Sequence, residues 1–194
     1  MEAQLLEVDI PVLGTGNNPR SEGLHLTEVI RDLMVATGLS PKANDWNRES
    51  TMAAGFVWEE VLFSLWEPFL SSAFAALLGR AFNWHSTGEV TLDGIIGTPD
   101  GISISEQGLT LQEAKFTWKS FNSDPLDNFS YMTQCKSYCK MLGLTQVMLH
   151  VYHCMGDYRG SGPKYRPWLI TYKPHEIEEN WQMILNHAEH MRSK

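Results

Sequence analysis

The clearest alternation of apolar and polar residues falls in the middle of the chain, where it predicts three strands. The first covers residues 89–96. The other two form a hairpin that turns at Glu106-Gln107-Gly108, and their apolar residues recur mostly at every second position: Ile102, Ile104, Leu109, Leu111 and Phe116. Folding this hairpin about its turn pairs residues whose numbers add up to about 214, so Asp100 is expected opposite Ala114.

Apolar residues spaced three and four apart predict helices before and after these strands. Their expected bounds are 27–38, 49–78 with a break or kink at Pro68, 124–143 and 174–194. Thr27 and Asp124 are good N-caps, while Gly38 and Gly143 end the first and the fourth helix. Two more strands are expected, over residues 145–154 and 168–172.

These elements predict one α/β domain that spans all 194 residues. In chain order they are a helix, a helix pair, a strand, a hairpin, a helix, two strands and a helix, a series that contains α-β-β-β-α-β. We expect residues 1–23 to form an N-terminal arm, residues 49–173 the core and residues 174–194 a C-terminal helix. Residues 83–88 are interpreted as a loop.

The composition is that of an ordinary globular protein, with 43% hydrophobic and 20% charged residues. No apolar run approaches the ~20 residues of a membrane span, and the N-terminus lacks the basic region of a secretory signal. Three cysteines, an odd number, indicate a reducing compartment without a disulfide framework. We therefore expect a cytoplasmic protein.

The net charge of −8 is weak evidence against a protein that coats DNA, because affinity for phosphate comes mainly from Lys and Arg. The charge is compatible with a nuclease, since a metal–carboxylate site is itself acidic and a basic groove can coexist with an acidic exterior. Assembly into a homo-oligomer would also concentrate the basic residues.

Candidate catalytic chemistry lies at one end of the predicted hairpin. Glu113 and Lys115 are two positions apart and leave the same face of their strand, and the pairing brings Asp100 beside them. Two close carboxylates repel each other, and a hard divalent cation such as Mg²⁺ or Mn²⁺ relieves that repulsion. The lysine can orient an attacking water or offset charge on a phosphorane. The alternative is a surface hairpin that carries an Asp and a Glu–Lys pair.

Pro99-Asp100, followed after 12 residues by Glu113-Ala114-Lys115, resembles the signature of the PD-(D/E)XK nucleases. The sequence Gly97-Thr98-Pro99-Asp100-Gly101 is most similar to the phage-type recombination exonucleases (lambda exonuclease and YqaJ-like), and RecB-type nuclease domains are also similar. The resemblance covers residues 55–153. It implies a restriction-endonuclease-like fold and a Mg²⁺-dependent DNA exonuclease that acts on linear ends in recombination, in the host cytoplasm if phage-encoded, with an annealing or recombination protein as partner.

The same resemblance implies further site residues. Gly55 and Glu59 fit the Gly-x-x-x-Glu pattern that these exonucleases carry on a helix before the Pro-Asp strand, so Glu59 is expected to bind metal or water, with Glu60 as the fallback. Alternatively, one glutamate is exposed and the other accepts a hydrogen bond from a core tryptophan. Gln134 and Tyr138 match a Gln-x-x-x-Tyr pattern on the helix after the catalytic strand. Gln134 would hold backbone or water, and Tyr138 would support the lysine or touch the nucleic acid.

The resemblance implies that Asp100, Glu113 and the carbonyl of Ala114 hold the metal and that Glu59 assists. The basic and aromatic stretch at 155–166 suits phosphate contact and base stacking, so the residues expected to bind nucleic acid are Arg159, Lys164, Arg166 and Lys119.

Other residues are interpreted as structural. The three cysteines lack the fourth ligand of the iron–sulfur cluster found in some relatives, so no cluster is expected. His150 and His153 fall on opposite faces of a strand, which disfavours a shared metal. His187 and His190 are expected to be exposed. Asp93 is either part of a bulge in the first strand or a carboxylate near the site.

Two alternatives to the exonuclease stay open within nucleic-acid chemistry. One is a structure- or site-specific endonuclease of the same fold. The other is a non-catalytic nucleic-acid-binding module, which the intact Asp, Glu and Lys disfavour and the low basicity favours. A metal-dependent hydrolase of a smaller substrate would instead need a closed pocket.

Overall fold

The computed structural model describes residues 21–40, 48–78, 83–106 and 108–193. Its helices are α1 Leu26–Ala36, α2 Arg48–Glu60, α3 Glu67–Leu78, α4 Phe129–Leu142 and α5 Pro174–Arg192. A π-helix, Val61–Leu65, joins α2 to α3, and a 3-10 helix, Pro125–Asp127, precedes α4. The strands are β1 Leu24–His25, β2 Asn83–His85, β3 Val90–Leu92, β4 Ile95–Gly97, β5 Gly101–Ser105, β6 Gly108–Thr117, β7 Gln146–His153 and β8 Lys164–Thr171.

The main sheet has five strands in the order β2-β5-β6-β7-β8. Among its described strands only the central pair, β6 and β7, is parallel, and α4 makes the crossover that a parallel pair requires. A smaller sheet has the order β1-β4-β3. This mixed α/β architecture confirms the predicted fold class.

Helices cover both faces of the main sheet. On one face, α1, α4 and α5 enclose the larger core, to which the central strands contribute Leu111, Val147, Leu149 and Val151. On the other face, Trp58, Leu62 and Phe63 from α2 and the π-helix pack on Ala114. Burial on both faces explains why β7 reads as a nearly continuous apolar run. Position 113 and position 115 of β6 therefore lie on the α4 side of the sheet.

The predicted hairpin is confirmed, and its register differs by one residue. Paired residues of β5 and β6 add up to 213, as in Gly101 with Gln112, against the expected 214. Gln107 lies outside the described residues. The helix end predicted at Gly143 is also confirmed, because Gly143 follows the last residue of α4 and has left-handed backbone geometry, with φ 67°.

The single strand predicted over residues 89–96 is wrong. Asp93 and Gly94, with φ of 51° and 73°, form a two-residue turn between β3 and β4, so the segment is a second hairpin. Asp-Gly suits this turn because both positions need positive φ, a signal stronger than the apolar pattern around it. The carboxylate of Asp93 accepts a hydrogen bond of 2.8 Å from Trp181 Nε1, so Asp93 supports α5.

Several element boundaries also differ from those predicted. The supposed loop at 83–88 contains β2, which pairs with β5. The α1 helix starts one residue before Thr27, with His25 as its N-cap. Asp124 caps the short 3-10 helix, and Asn128 is the cap of α4. The break expected at Pro68 is confirmed, because α3 begins at Glu67 and proline is tolerated in a first turn. Finally, β8 begins at Lys164, within the stretch predicted as a loop.

Candidate active site

Asp100 is tied directly to the strand that carries Glu113 and Lys115. It lies just before β5, and its Oδ2 accepts a 2.7 Å hydrogen bond from the backbone N–H of Ala114. Pro99 is buried, and its carbonyl accepts a hydrogen bond from Thr87. The Pro-Asp and Glu-X-Lys halves of the sequence motif therefore meet in space, as the hairpin predicted.

Glu113 and Lys115 form an ion pair on the α4 face of β6. Lys115 Nζ donates to Glu113 Oε1, and the ammonium lies 5.8 Å from the centre of the Tyr131 ring. The Glu113 side chain is 0% exposed, and that of Lys115 is 16% exposed. Glu113 Oε2 is buried and has no hydrogen-bond partner among the described residues. An unmatched buried carboxylate oxygen is costly and indicates a missing cation or donor.

The carboxylates of this site are difficult to ionise. Burial, followed by the negative charge of Asp100, raises the pKa of Glu113 to about 8. Burial also raises the pKa of Asp100, although Lys115 and the Ala114 N–H oppose the shift. Burial alone would lower the pKa of Lys115, but Glu113 and Asp100 outweigh it and raise that pKa. Lys115 therefore stays charged, but its single positive charge does not compensate for the burial and mutual repulsion of the Asp100 and Glu113 carboxylates.

Glu59 belongs electrostatically to the same group. It lies on α2, and burial together with the charge of Asp100 raises its pKa to about 7, while Lys115 opposes the shift. Glu60 is exposed. The predicted hydrogen bond from a core tryptophan to a glutamate is not made by Trp58, whose Nε1 is buried without a partner among the described residues. Of the two glutamates, Glu59 is therefore the one whose ionisation is opposed by the charge of Asp100.

Gln134 and Tyr138 share one face of α4, as predicted. Gln134 Nε2 donates to the Tyr138 hydroxyl over 3.1 Å. Tyr138 is only 2% exposed and packs in the larger core, so direct contact of its side chain with a nucleic-acid strand is wrong. Its ring leaves no room for a side chain at position 97, where a Cβ would lie 2.9 Å from Tyr138 Cε1. Gln134 is half-buried and can still reach a ligand.

Three of the four residues expected to bind nucleic acid belong to the loop at 118–123 or contact it, namely Lys119, Lys164 and Arg166. Lys164 Nζ lies 4.5 Å from the centre of the Phe121 ring, and Arg166 Nη1 donates to the Phe121 carbonyl over 2.6 Å. Lys119 and Arg159 are exposed. Lys164 and Arg166 thus hold this loop in place, while Lys119 and Arg159 present their charges to solvent.

The cysteines and histidines behave largely as expected. Cys135 and Cys139 are buried free thiols whose pKa values are raised by burial. His150 bonds Tyr165 and Gln112 on the α2 side of β7, whereas His153 bonds the Lys119 carbonyl. His187 differs from the expected exposure, because its ring is 10% exposed and pairs with Asp32 over 2.8 Å.

A pocket between α1 and α4 contains functional candidates that the sequence did not reveal. It measures about 180 Å³ and includes Gln134 in its lining, together with Arg31, Ser40 and Ser130. Ser130 lies in the first turn of α4, near the positive end of the helix dipole, while the Asn128 side chain accepts the hydrogen bonds of the backbone N–H groups there. A guanidinium and hydroxyl-bearing side chains beside that helix end form a suitable site for an anion. An arginine on an amphipathic helix gives no such signal in sequence, because most are simply solvated.

The chemistry of the site fits a hard divalent cation. Among the described residues, no three side chains of His, Cys, Asp or Glu are arranged to hold a metal ion. The fit rests instead on Glu113 Oε2, the buried oxygen without a partner, and on the raised pKa values of neighbouring carboxylates. Carboxylate oxygens are the ligands that Mg²⁺ and Mn²⁺ prefer, and Mg²⁺ keeps several waters.

Comparison with known proteins identifies the fold. No family model and no curated protein matches the sequence. Among solved structures, an alkaline exonuclease (LHK-Exo) from Laribacter hongkongensis aligns over 88% of both chains with a TM-score of 0.53 and 14% identity. Its complex with dAMP gives a TM-score of 0.51 at 15% identity and the same coverage. A phage-related exonuclease from Haemophilus somnus 129PT aligns over 89% of this chain and 94% of its own, at 13% identity and a TM-score of 0.47.

The two alkaline exonuclease structures show that the chain shares their fold, in agreement with the fold that the resemblance to phage-type exonucleases predicted. The described residues include no helix long and apolar enough to cross a membrane.

Gly101→Ala is expected to destabilise the fold beside Asp100. An added Cβ would lie 2.1 Å from Trp84 Nε1 and 2.8 Å from the His85 carbonyl, so β2 would have to move. We expect a loss of about 1–3 kcal/mol in the free energy of unfolding. Gly55→Ala is the matched control: a Cβ there meets no described atom within 4 Å, and alanine favours a helix. Equal stability of the two variants in urea unfolding would contradict the packing at Gly101.

Proposed function

We propose that this protein is a metal-dependent DNA nuclease that hydrolyses phosphodiester bonds. The single observation that carries the proposal is the buried group formed by Asp100, Glu113 and Lys115, in which Glu113 Oε2 has no partner among the described residues. An ion pair with a purely structural role requires neither a second carboxylate nor an oxygen atom without a partner. A cation-binding site has both features, because the cation is bound by more than one oxygen atom.

In this proposal, Asp100, Glu113 and the Ala114 carbonyl hold Mg²⁺ or Mn²⁺, and Glu59 assists. The bound cation would supply a more acidic water and neutralise charge on the phosphate. Lys115 orients the attacking water and stabilises the charge that develops on the phosphorus oxygens. In the metal-free protein Glu113 and Asp100 raise the pKa of Lys115, which supports an electrostatic role for its ammonium group. Gln134 positions substrate or water, and Tyr138 fixes Gln134.

Exonuclease action on linear duplex ends is supported by the pocket at Arg31. The pocket is small, about 180 Å³, and its lining joins Arg31 and hydroxyl-bearing side chains to Gln134 of the proposed site. A terminal phosphate carries more charge than an internal one and fits such a pocket, whereas a continuous strand would not end there. The chemistry at Lys115 would then act at a fixed distance from the end.

Recombination or DNA processing is the setting we propose for this activity. An annealing or recombination protein would take the single strand that an exonuclease exposes, and assembly into a homo-oligomer would offset the low net basicity. A cytoplasmic location follows from the same proposal.

The test is cleavage of 5′-phosphorylated linear duplex DNA with Mg²⁺, beside the same DNA as a closed circle. The exonuclease proposal predicts loss of the linear form alone, and EDTA should abolish that loss. Cutting of the circle would replace this proposal with an endonuclease. Cleavage of neither form would leave the nucleic-acid-binding module.

Arg31→Ala is expected to remove the preference for a phosphorylated end. With the wild type, we expect KM for a 5′-phosphorylated duplex to be about 10-fold lower than for a 5′-hydroxyl duplex, because the guanidinium forms a charge-assisted hydrogen bond. The variant should lose this difference with little change in kcat. Equal KM values for the two substrates in the wild type would contradict the role of Arg31.

A further inference from the structure

A second and larger cleft opens next to the proposed active site. It measures about 570 Å³ and lies beyond the C-terminal ends of β6 and β7, where Tyr131, Lys119 and His153 contribute to its lining. Tyr131 connects the two regions, because its ring also faces Lys115 Nζ at 5.8 Å. This volume falls within the usual range for small-molecule sites.

His153 gives the cleft a defined hydrogen-bonding character. Its ring is 1% exposed, and Nδ1 lies 3.0 Å from the Lys119 carbonyl oxygen. A carbonyl oxygen only accepts, so Nδ1 carries the proton and Nε2 is an acceptor in the neutral ring. Burial holds the pKa of His153 below its usual range, which agrees with that neutral form.

The acceptor at Nε2 is buried and has no hydrogen-bond partner among the described residues. An unsatisfied buried acceptor destabilises the free protein, and a ligand that donates a hydrogen bond to it recovers that loss. The complementary group is therefore an N–H or O–H donor that enters from the cleft with a small movement of the side chains covering Nε2.

The other lining side chains favour a nucleoside over a simple anion. Lys119 supplies one positive charge at the cleft, whereas Asp124 and Asp127 place two carboxylates there. That balance disfavours a phosphate bound alone. The Tyr131 ring offers an apolar face for a base, and every nucleobase carries both a π-face and an N–H donor before pairing.

We propose that this cleft is a nucleoside subsite, in which a base of the strand being cut lies near Tyr131 and donates a hydrogen bond to His153 Nε2. The inference rests on the proposed nuclease function and deepens it. His153 would act as a positioning residue that holds the strand in register with Lys115.

The test is a coupling experiment between His153 and the base. Linear duplexes that carry a single abasic nucleotide at successive positions from the end are cleaved by the wild type, His153→Phe and His153→Gln under single-turnover conditions. At one position, loss of the base should slow the wild type about 5- to 10-fold and slow His153→Phe less than 2-fold. Gln keeps an acceptor, so His153→Gln should recover part of the coupling. His187→Phe, on α5, is the control and should behave as the wild type.

A direct titration keeps the two proposals distinguishable. The imidazole ¹⁵N resonances of His153 in the wild type should move on addition of dAMP and stay unchanged with 2-deoxyribose 5-phosphate, whether or not DNA is cut. If the effects of the His153 substitutions and of base removal on the cleavage rate are only additive, and dAMP does not shift the resonances, the subsite is wrong and the proposed nuclease function is unaffected. A response to dAMP without coupling in DNA would mean that the cleft takes a released nucleotide, which overturns the placement of the strand. Absence of any cleavage would count against the nuclease function, and the titration alone would then decide whether the cleft binds a nucleoside.

Discussion

Lys115→Ala is expected to lower kcat for phosphodiester cleavage roughly 10²- to 10³-fold, with a much smaller effect on KM. The ammonium is held by Glu113 in a site that excludes most water, where a positive charge aimed at the reacting phosphate acts most strongly. Arginine should not rescue the activity, because the planar guanidinium cannot replace a compact ammonium in this position. Single-turnover cleavage of a linear duplex measures the effect on chemistry without product release.

The matched control is Lys140→Ala. Lys140 also pairs with a glutamate, Glu178, but this pair lies on the surface between α4 and α5. Surface pairs contribute little, so we expect cleavage within about twofold of the wild type. Thermal unfolding of both variants separates a catalytic loss from a folding loss. If folded Lys115→Ala kept wild-type activity, the proposed role of the lysine would be wrong.

The metal-free protein is expected to become less stable as pH rises from 6.5 to 8.5. Folding raises the pKa of Glu113 from 4.5 to about 8, so the folded state binds more protons than the unfolded state throughout this interval. Stability is therefore lost as Glu113 ionises, and Glu59, with a pKa of about 7, adds to the loss. The expected decrease in the free energy of unfolding is about 1–2 kcal/mol.

Glu113→Gln should flatten this pH dependence, since it removes the buried charge and keeps the shape. Mg²⁺ should stabilise the wild type more at pH 8.5 than at pH 6.5, because the cation binds the ionised carboxylates. Below pH 6.5 His150 opposes this slope, because burial lowers its pKa to about 3 and the unfolded chain takes up the proton, so the decrease becomes shallower. Urea unfolding at fixed ionic strength measures all three effects. An equal slope in the wild type and in Glu113→Gln would exclude Glu113 as the source.

Local sequence was sufficient to predict the parts of the site that come from one hairpin. The pairing of β5 with β6 follows from apolar alternation and a short turn to within one residue, and this pairing brings Asp100 to the backbone of Ala114. The same reasoning failed at Asp93-Gly94, where turn chemistry overrides an apolar pattern that continues on both sides. In the β5–β6 hairpin the apolar pattern and the turn residues predict the same structure. At Asp93-Gly94 the apolar pattern predicts one continuous strand, whereas the turn residues predict a hairpin.

Contacts between distant elements could not be predicted in this way. Whether Arg31 joins Gln134 in one pocket depends on how α1 packs against α4, which neither helix encodes by itself. The same is true of Lys164 and Arg166. Both contact Phe121, which lies up to 45 positions earlier in the chain, so these contacts depend on the path of the loop at 118–123. Glu59 was found through a resemblance to known exonucleases, and its electrostatic coupling to Asp100 is a property of the folded chain.

The central claim is that the group formed by Asp100, Glu113 and Lys115 hydrolyses DNA with the help of a divalent cation. The most direct measurement is release of acid-soluble nucleotides from single- and double-stranded DNA by the purified protein, first with EDTA, then with Mg²⁺ or Mn²⁺ restored in excess. The account predicts no release with EDTA, recovery with either cation, and no recovery in Asp100→Asn. Absence of release from both forms of DNA with both cations would contradict it.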